Sequence, residues 1–459
     1  MAESKPHVLF IAVDDLRPDI GCYGHADVQT PNIDRLASDG VVFERAYCQQ
    51  AVCTFSRFSL MTGRYPGPRF SDFRKKDPAV IARARDGLVS LTEQFQRHGY
   101  KTVGIGKLFD KRMTIPTGDV WQTFHAGAGN GFVSASMAER FRAAAEDKSL
   151  QKFRPAFERA DTPDDTYPDG KKAAIAIAEI ESHDAATPLF LGVGFFKPHL
   201  PFVAPEKYWA LYDGDALPLA NRRTPPADCT DLLFCEYKEI DSYAHPDPMT
   251  ESFERELRHG YLACVSYIDA QIGRVIAALK EKGIYDDTLV VLWGDHGFKL
   301  GDFGEWAKHT NLETDVRVPL IFKLPGGAHV GRKTDALAEL VDILPTLCEA
   351  AGLPIPTSAQ GRSLLPVIED KASTVRAAAF SRYPKPEGQI GYSIRTDRWR
   401  YHEVRPKRAG AVTSRELYDL STDLTEQRNV IDDYPDVADE HADLLAARLR
   451  DMRTNARPQ

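Results

Sequence analysis

The stretch "HVLFIAVDD", residues 7–15, decides how the rest of the chain is read. Residues 7–13 form a continuous apolar, β-rich run, the pattern of a strand buried on both faces of a mainly parallel sheet. The run stops at Asp14 and Asp15. In open α/β sheets ligands gather at the carboxyl ends of the strands, so the pair stands where chemistry is usually found. Taken alone, two adjacent aspartates equally mark a turn or cap a helix.

Outward from this strand, helices and apolar strands alternate. "TPNIDRLASDG" (30–40) reads as a helix with Thr30 as N-cap, Pro31 in the first turn and Gly40 as terminator. "LTEQFQRHG" (91–99) is helical and "YKTVGIGK" (100–107) a strand; "GKKAAIAIAEIESH" (170–183) is a helix leading into the strand "PLFLGVGFF" (188–196). A long helix through 256–283 precedes the buried strand "DTLVVLWGDHG" (287–297), followed by the strand "VPLIFKL" (318–324) and the helix "LVDILPTLCEAAG" (340–352). This alternation predicts a large doubly wound, mainly parallel sheet flanked by helices. After about residue 355 short amphipathic strands such as "GYSIRTDRWRYHEV" (391–404) and a last helix (436–453) predict a smaller α+β subdomain. The expected division is 1–355 and 356–459, with 64–88 and 110–170 as long loops that shape a pocket.

Composition excludes several classes. A 459-residue chain of net charge −8 is not attracted to nucleic acid or to an anionic membrane surface, so any anionic substrate must meet a local positive site. The start has no apolar run long enough for a signal peptide, and no later segment reads as long enough to span a bilayer. The expectation is a cytoplasmic protein, or a periplasmic or secreted one whose leader has been removed. Seven cysteines without a CxxC pair argue against a disulfide framework or a structural zinc site.

Three strand ends carry Asp14 and Asp15, Lys107 in "GIGK", and Asp295 with His296 in "GDHG". Carboxylates with one imidazole suit Ca²⁺, Mg²⁺ or Mn²⁺ better than zinc or copper. "CTFSRFSLMTG" (53–63) supplies a further element. If a helix starts just after Cys53, then Cys53 and Arg57 share a face one turn apart, at a helix end that favours anions and nucleophiles. A buried cysteine acting as a small hydrophobe fits the same spacing.

"CTFSRFSLMTG" resembles the signature of the sulfatase family, Cys-x-Pro-Ser-Arg followed by Leu/Met-Thr-Gly, in which the cysteine becomes formylglycine. "VDDLRPDIGCYG", "KPHLPF", "DHGFKLGDFGEWAKHTN", "GYSIRTDRWRY" and "ELYDLSTD" follow in the order found in the iduronate-2-sulfatase group of that family, along almost the whole chain. The resemblance implies an alkaline-phosphatase-like fold and hydrolysis of a sulfated sugar or related sulfate ester. It implies one divalent cation, Ca²⁺ first and Mn²⁺ or Mg²⁺ as alternatives, held by Asp14, Asp15, Asp295, His296 and residue 53. Cys53, Arg57, Lys107, His199 and Lys308 would be the catalytic set. Arg57 and Lys107 would orient the formylglycine hydrate, Lys107 and Lys308 would bind the sulfate group, and His199 would protonate the leaving alcohol. A formylglycine-generating maturation enzyme is the implied partner; oligomeric state is not implied.

Two positions depart from the family. Phe55 replaces the signature proline, which bears on how formylglycine is made. Asp110 stands where related sequences have a histidine near the substrate sulfate, so a carboxylate enters the substrate-binding set. His296, an asparagine in most sulfatases, is a histidine in the iduronate-sulfatase group and also in phosphonate monoester hydrolases. A phosphodiesterase or phosphonate monoester hydrolase of the same superfamily is therefore the alternative enzyme, and an inactive protein binding sulfated glycans the alternative outside catalysis.

Overall fold

The computed structural model describes residues 5–67, 84–85, 87–110, 120–127, 131–234, 238–327, 329–407 and 410–454. Parts of both expected loops, within 64–88 and 110–170, lie outside the described residues.

The first strand, β1 (His7–Asp14), is buried along its whole length. Its side chains divide between two cores. Leu9, Ile11 and Val13 enter one, while Val8, Phe10 and Ala12 enter the other, as alternation across a sheet with two covered faces requires. Around β1 stand β2 (Val41–Tyr47), β3 (Lys101–Gly106), β4 (Thr123–His125), β6 (Leu189–Pro198), β8 (Thr288–Gly294), β10 (Leu320–Lys323) and β11 (Arg332–Glu339), in the order β11-β2-β10-β8-β1-β6-β3-β4. The run β8-β1-β6-β3 is parallel throughout, so four strand ends open on one edge. Strand β10 runs antiparallel to both of its neighbours, and the short strand β9 (Arg317–Val318) pairs antiparallel with β2. The sheet is thus mixed but mostly parallel, as expected.

Helices cover both faces. On one lie α1 (Pro31–Ser38), α5 (Pro168–Ser182) and the long α6 (Glu251–Glu281), through residues such as Leu36, Ala176 and Ile272. On the other lie α2 (Cys53–Thr62), α3 (Leu91–Arg97) and α7 (Ile343–Ala350), through Phe58, Phe95 and Leu347. Helix α6 corrects the reading that no segment could span a bilayer: it is long and apolar enough, but its most apolar window is 72% buried inside the protein. Its surface forms the core.

Two local expectations also change. The segment 110–170 is not a plain loop, because it carries β4, α4 (Ala135–Glu146) and β5 (Phe157–Ala160) among its described residues. Strand β5 pairs with β7 (Phe202–Pro205), outside the main sheet. Thr30 sits at the N-cap of α1 without capping it. The Asp269 carboxylate of α6 instead accepts the N–H groups of Asn32 and Ile33 at 3.0 and 2.7 Å, a cap supplied from another helix.

The C-terminal part is a four-stranded antiparallel sheet, β12 (Ala379–Lys385), β13 (Gln389–Arg395), β14 (Trp399–Pro406) and β15 (Ser414–Asp419), with α8 (Pro435–Thr454) against it. It braces one loop of the larger sheet. Asn311 donates to the Ser381 hydroxyl at 2.9 Å, and Arg400 donates to the Asn311 carbonyl at 2.9 Å. Arg395 and Arg400 grip the buried Glu313 from β13 and β14 at 2.9 and 3.0 Å. Lys308 belongs to that braced loop.

Candidate active site

The parallel run of four strands explains why distant residues meet. Asp14 and Asp15 leave β1, Asp295 and His296 leave β8, Lys107 leaves β3, and His199 follows β6. The register of β1 against β6 shifts between Val13 and Asp14, and Asp15 adopts a left-handed φ of 60°. An aspartate tolerates this conformation better than most residues, and such backbone concentrates at functional sites. On the neighbouring pair, Gly106 has φ +73° and Gly194 lies so close that an added Cβ would meet the Lys107 backbone at 2.3 Å. The glycines of "GIGK" and "LGVGF" thus let β3 and β6 close up where Lys107 emerges.

Helix α2 begins at Cys53, one residue earlier than expected, and ends at Gly63 in a left-handed cap. All of its residues except Phe55 are buried, and Phe55 packs on the rim of a core. The Phe55 N–H donates to the Val52 carbonyl at 3.1 Å, a bond a proline at this position could not make.

Cys53 Sγ lies 3.3 Å from Asp14 Oδ1, 3.2 Å from His296 Nε2 and 3.5 Å from Lys107 Nζ. Ligand atoms of Asp14, Cys53, Asp295 and His296, all buried, fall within 4.8 Å of one another. Asp15 falls into a second such group with Cys53 and His199. The surroundings hold these groups in place. Asp295 Oδ1 accepts the backbone N–H of Asp15 at 3.1 Å and of His296 at 3.0 Å, and His296 Nδ1 faces the Gly297 carbonyl at 2.9 Å. Tyr261 of α6 donates to the Asp15 carbonyl at 2.8 Å. Orientation of would-be ligands by such partners is a regular property of metal centres.

Cations interleave the carboxylates. Arg57, one turn beyond Cys53, donates through Nε to Asp295 Oδ2 at 2.8 Å, approaches Asp14 at 3.4 Å and also donates to the Lys107 carbonyl. Its guanidinium lies 5.4 Å from the Trp293 ring. Lys107 Nζ bonds Asp14. Lys308 Nζ reaches both oxygens of Asp15 at 2.9 Å. His199 Nδ1 lies 2.6 Å from the Leu200 carbonyl, which can only accept, so this nitrogen carries the hydrogen; burial and then Lys308 push the imidazole down to about 3, and Nε2 faces Glu239 at 3.2 Å. Lys107 and His199 each keep 16% side-chain exposure while the other groups are closed off, so the substrate face lies between these two. Asp110 is buried three residues beyond Lys107.

The balance of charge calls for a further cation. Burial would raise Asp14, but Lys107, His199 and Arg57 overcome it and hold this carboxyl well below its ordinary range. At Asp15 burial wins, aided by Asp14, Glu239 and Asp295 against Lys308, and the carboxyl is pushed well above its ordinary range. Burial and Asp14 likewise push the Cys53 thiol well up, so an unmodified Cys53 here is a protonated, weak nucleophile. A buried aspartate cluster with one imidazole fits a hard divalent ion, which would relieve the crowding at Asp15. The residues present therefore fit the cation that the sequence resemblance implies.

Removing the guanidinium has a calculable cost. Arg57→Ala would leave two buried carboxylates without their partner, and we expect about 3–5 kcal/mol lower stability in chemical denaturation, together with about 100-fold lower kcat. Unchanged stability would mean that Arg57 is dispensable to the cluster.

One group at the site escaped the sequence reading. Glu239, in the turn Glu239–Ser242, pairs with both His199 Nε2 and Lys308 Nζ. It stands in a segment without periodicity or motif, so no local signal marks it.

Comparison with known proteins agrees with this geometry. The family model described as Sulfatase matches residues 6–353, and the model for the C-terminal part of N-sulphoglucosamine sulphohydrolase matches residues 301–455. The chain is 31% identical to the iduronate 2-sulfatase of Mus musculus over 86% of its own length and 84% of that protein's. It is 32% identical to a sulfatase of Formosa agariphila, over 93% and 83% of the respective lengths. Among solved structures, the phosphonate monoester hydrolase of Agrobacterium radiobacter superposes with a TM-score of 0.76 at 26% identity, covering 98% of this chain and 96% of the other.

Proposed function

Because the chain belongs to the sulfatase family of the alkaline phosphatase superfamily, and is accordingly a sulfuric ester hydrolase, we propose that it uses formylglycine at position 53 and one divalent cation to hydrolyse a sulfated sugar or a related sulfate ester. The observation that carries this reading is the convergence of Cys53 with Asp14, Asp295 and His296 inside 4.8 Å, all buried. Asp14, Asp15, Asp295, His296 and the side chain at 53 would hold the cation. Formylglycine would supply a hydroxyl nucleophile from its aldehyde hydrate, and the cation a Lewis acid that lowers the pKa of that hydroxyl.

The chain's own residues do the rest. Lys107 and Lys308 flank the position of an ester oxygen and stabilise charge that grows in the transition state, where a dry site makes each cation worth more. Arg57 ties the helix carrying residue 53 to Asp14 and Asp295, fixing the nucleophile's line of approach. His199, whose Nδ1 already holds a hydrogen against the Leu200 carbonyl, must first take up a second proton at Nε2, and passes that proton to the leaving oxygen as the ester bond breaks. Asp110, buried three residues after Lys107, would disfavour substrates with further negative charge if its carboxylate borders the sulfate region. A formylglycine-generating enzyme is the partner this chemistry needs, with Phe55 in the segment it must accept.

The test is the mass of the tryptic peptide Ala46–Arg57 from protein made in its native host. Cys53 should have exchanged its sulfur for an aldehyde or aldehyde hydrate, while Cys48 in the same peptide remains a thiol and serves as internal control. A peptide with two thiols would contradict the reading.

A second reading has its own support. The likeness to a phosphonate monoester hydrolase extends over 98% of the chain at 26% identity. The same site would then serve a phosphonate monoester or phosphodiester, which carries the same single negative charge as a sulfate ester.

A further inference from the structure

Glu239 lies outside the motifs and outside the strand ends, yet its carboxylate meets two of the side chains assigned to the reaction. One oxygen, Oε1, is 3.2 Å from His199 Nε2, and the other, Oε2, is 2.8 Å from Lys308 Nζ. Both of these side chains belong to the reacting set, and the His309 imidazole also acts on the carboxylate. The residue is 7% exposed. Burial alone would raise its carboxyl; Lys308 and then His199 overcome this and keep it well below the ordinary range, so it faces them as an anion.

The turn that carries Glu239 is itself fastened to the site. Ile240 N–H donates to the Trp306 carbonyl at 3.2 Å, in the loop that carries Lys308. Ile240 and Tyr243 are buried in the larger core. Tyr243 lies 4.4 Å under the Arg154 guanidinium, and the Ala244 N–H donates to the Arg154 carbonyl at 2.7 Å. The carboxylate therefore has a fixed origin, and its two oxygens define how far apart the imidazole and the ammonium can stand. His199 is held at the opposite ring nitrogen by the Leu200 carbonyl and at its face by Phe196, with ring centroids 4.7 Å apart. Without Glu239 the imidazole would keep its tether at Nδ1 but lose the carboxylate that meets a proton taken up at Nε2.

We propose that Glu239 is a positioning residue of this hydrolase, holding His199 Nε2 and Lys308 Nζ at the spacing that proton delivery to the leaving group requires. The role rests on the assignment of His199 as proton donor. It differs from a purely structural one in what it acts on: a merely structural carboxylate would affect every substrate alike, whereas a group that aims a proton matters in proportion to the leaving group's need for one.

The experiment uses matured full-length protein and two esters of one acid, one with a 4-nitrophenyl leaving group, which departs without a proton, and one with a sugar alkoxide, which does not. The acid, sulfate or phosphonate, is whichever the wild type hydrolyses faster. In Glu239→Gln, kcat/KM for the sugar ester should fall about 100-fold, and that for the 4-nitrophenyl ester by less than about 10-fold. In a His199→Gln background the extra penalty on the sugar ester should vanish. Equal losses on both esters, or no loss on either, would overturn the proposal. If Glu239→Gln does not fold by circular dichroism, Glu239→Asp, which keeps the charge on a shorter arm, must give the same split or the proposal fails. A wild type that turns over neither ester would defeat the assignment of hydrolysis itself, an outcome distinct from an unsplit variant.

Discussion

Cys53→Ala is expected to abolish turnover, lowering kcat by about 100,000-fold or more, because the groups around residue 53 act as one unit and do little without the nucleophile. The substitution removes one buried sulfur from the start of a helix whose other residues pack elsewhere, so the protein should still fold. Circular dichroism and thermal unfolding check the fold, and steady-state assay of an aryl sulfate checks the loss. The contrast with Arg57→Ala is informative. Arg57 is locked between Asp14 and Asp295, so its removal should lower stability and rate together, whereas removal of Cys53 should lower the rate far more than the stability. Residual activity near wild type in Cys53→Ala would mean that another residue attacks the ester.

Removal of the divalent cation should have the second largest effect. Asp14, Asp15 and Asp295 converge with three cationic side chains around them, and the balance still leaves Asp15 pushed well above the ordinary carboxylate range. Dialysis against a chelator should therefore abolish activity and also lower Tm, since a ligand that binds the folded state at a hundred times its Kd contributes about 2.7 kcal/mol. Adding back Ca²⁺, Mn²⁺ or Mg²⁺ singly should restore both, and the order of restored activity identifies the working ion. An unchanged Tm after verified metal removal would show that the aspartate cluster is satisfied by Lys107, Lys308 and Arg57 alone.

The fold was legible where strands are buried on both faces. "HVLFIAV" and "TLVVLWG" are uninterrupted apolar runs because helices cover both sides of the sheet, and such runs announce themselves. The antiparallel sense of β10 was not legible, since a short apolar strand looks the same in either direction. Neither was α4, whose exposed surface gives it little apolar stripe to read. The capping of α1 illustrates a further limit: Thr30 has the right chemistry, but Asp269, distant in sequence, supplies two acceptors to the helix end.

The candidate site was readable in its strand-end residues for a topological reason. Parallel strands deliver their final residues to one edge, so "DD", "GK" and "GDHG" could be expected to meet before any coordinate was known. Lys308 and His199 needed the family resemblance, because a lone lysine or histidine in a loop carries no periodic signal. Glu239 was invisible to both kinds of reading. Its place depends on a turn anchored to the Trp306 carbonyl and to Arg154, a tertiary arrangement that no local pattern encodes.

The central claim, hydrolysis of a sulfate ester at this site, is tested most directly by kcat/KM of matured wild-type protein on a matched set: 4-nitrophenyl sulfate, a 4-nitrophenyl phosphonate monoester and bis(4-nitrophenyl) phosphate. The account predicts that the sulfate is preferred by about 100-fold or more, with the activity lost in Cys53→Ala. A preference for the phosphonate or the phosphodiester would contradict it and assign the same residues to the other ester.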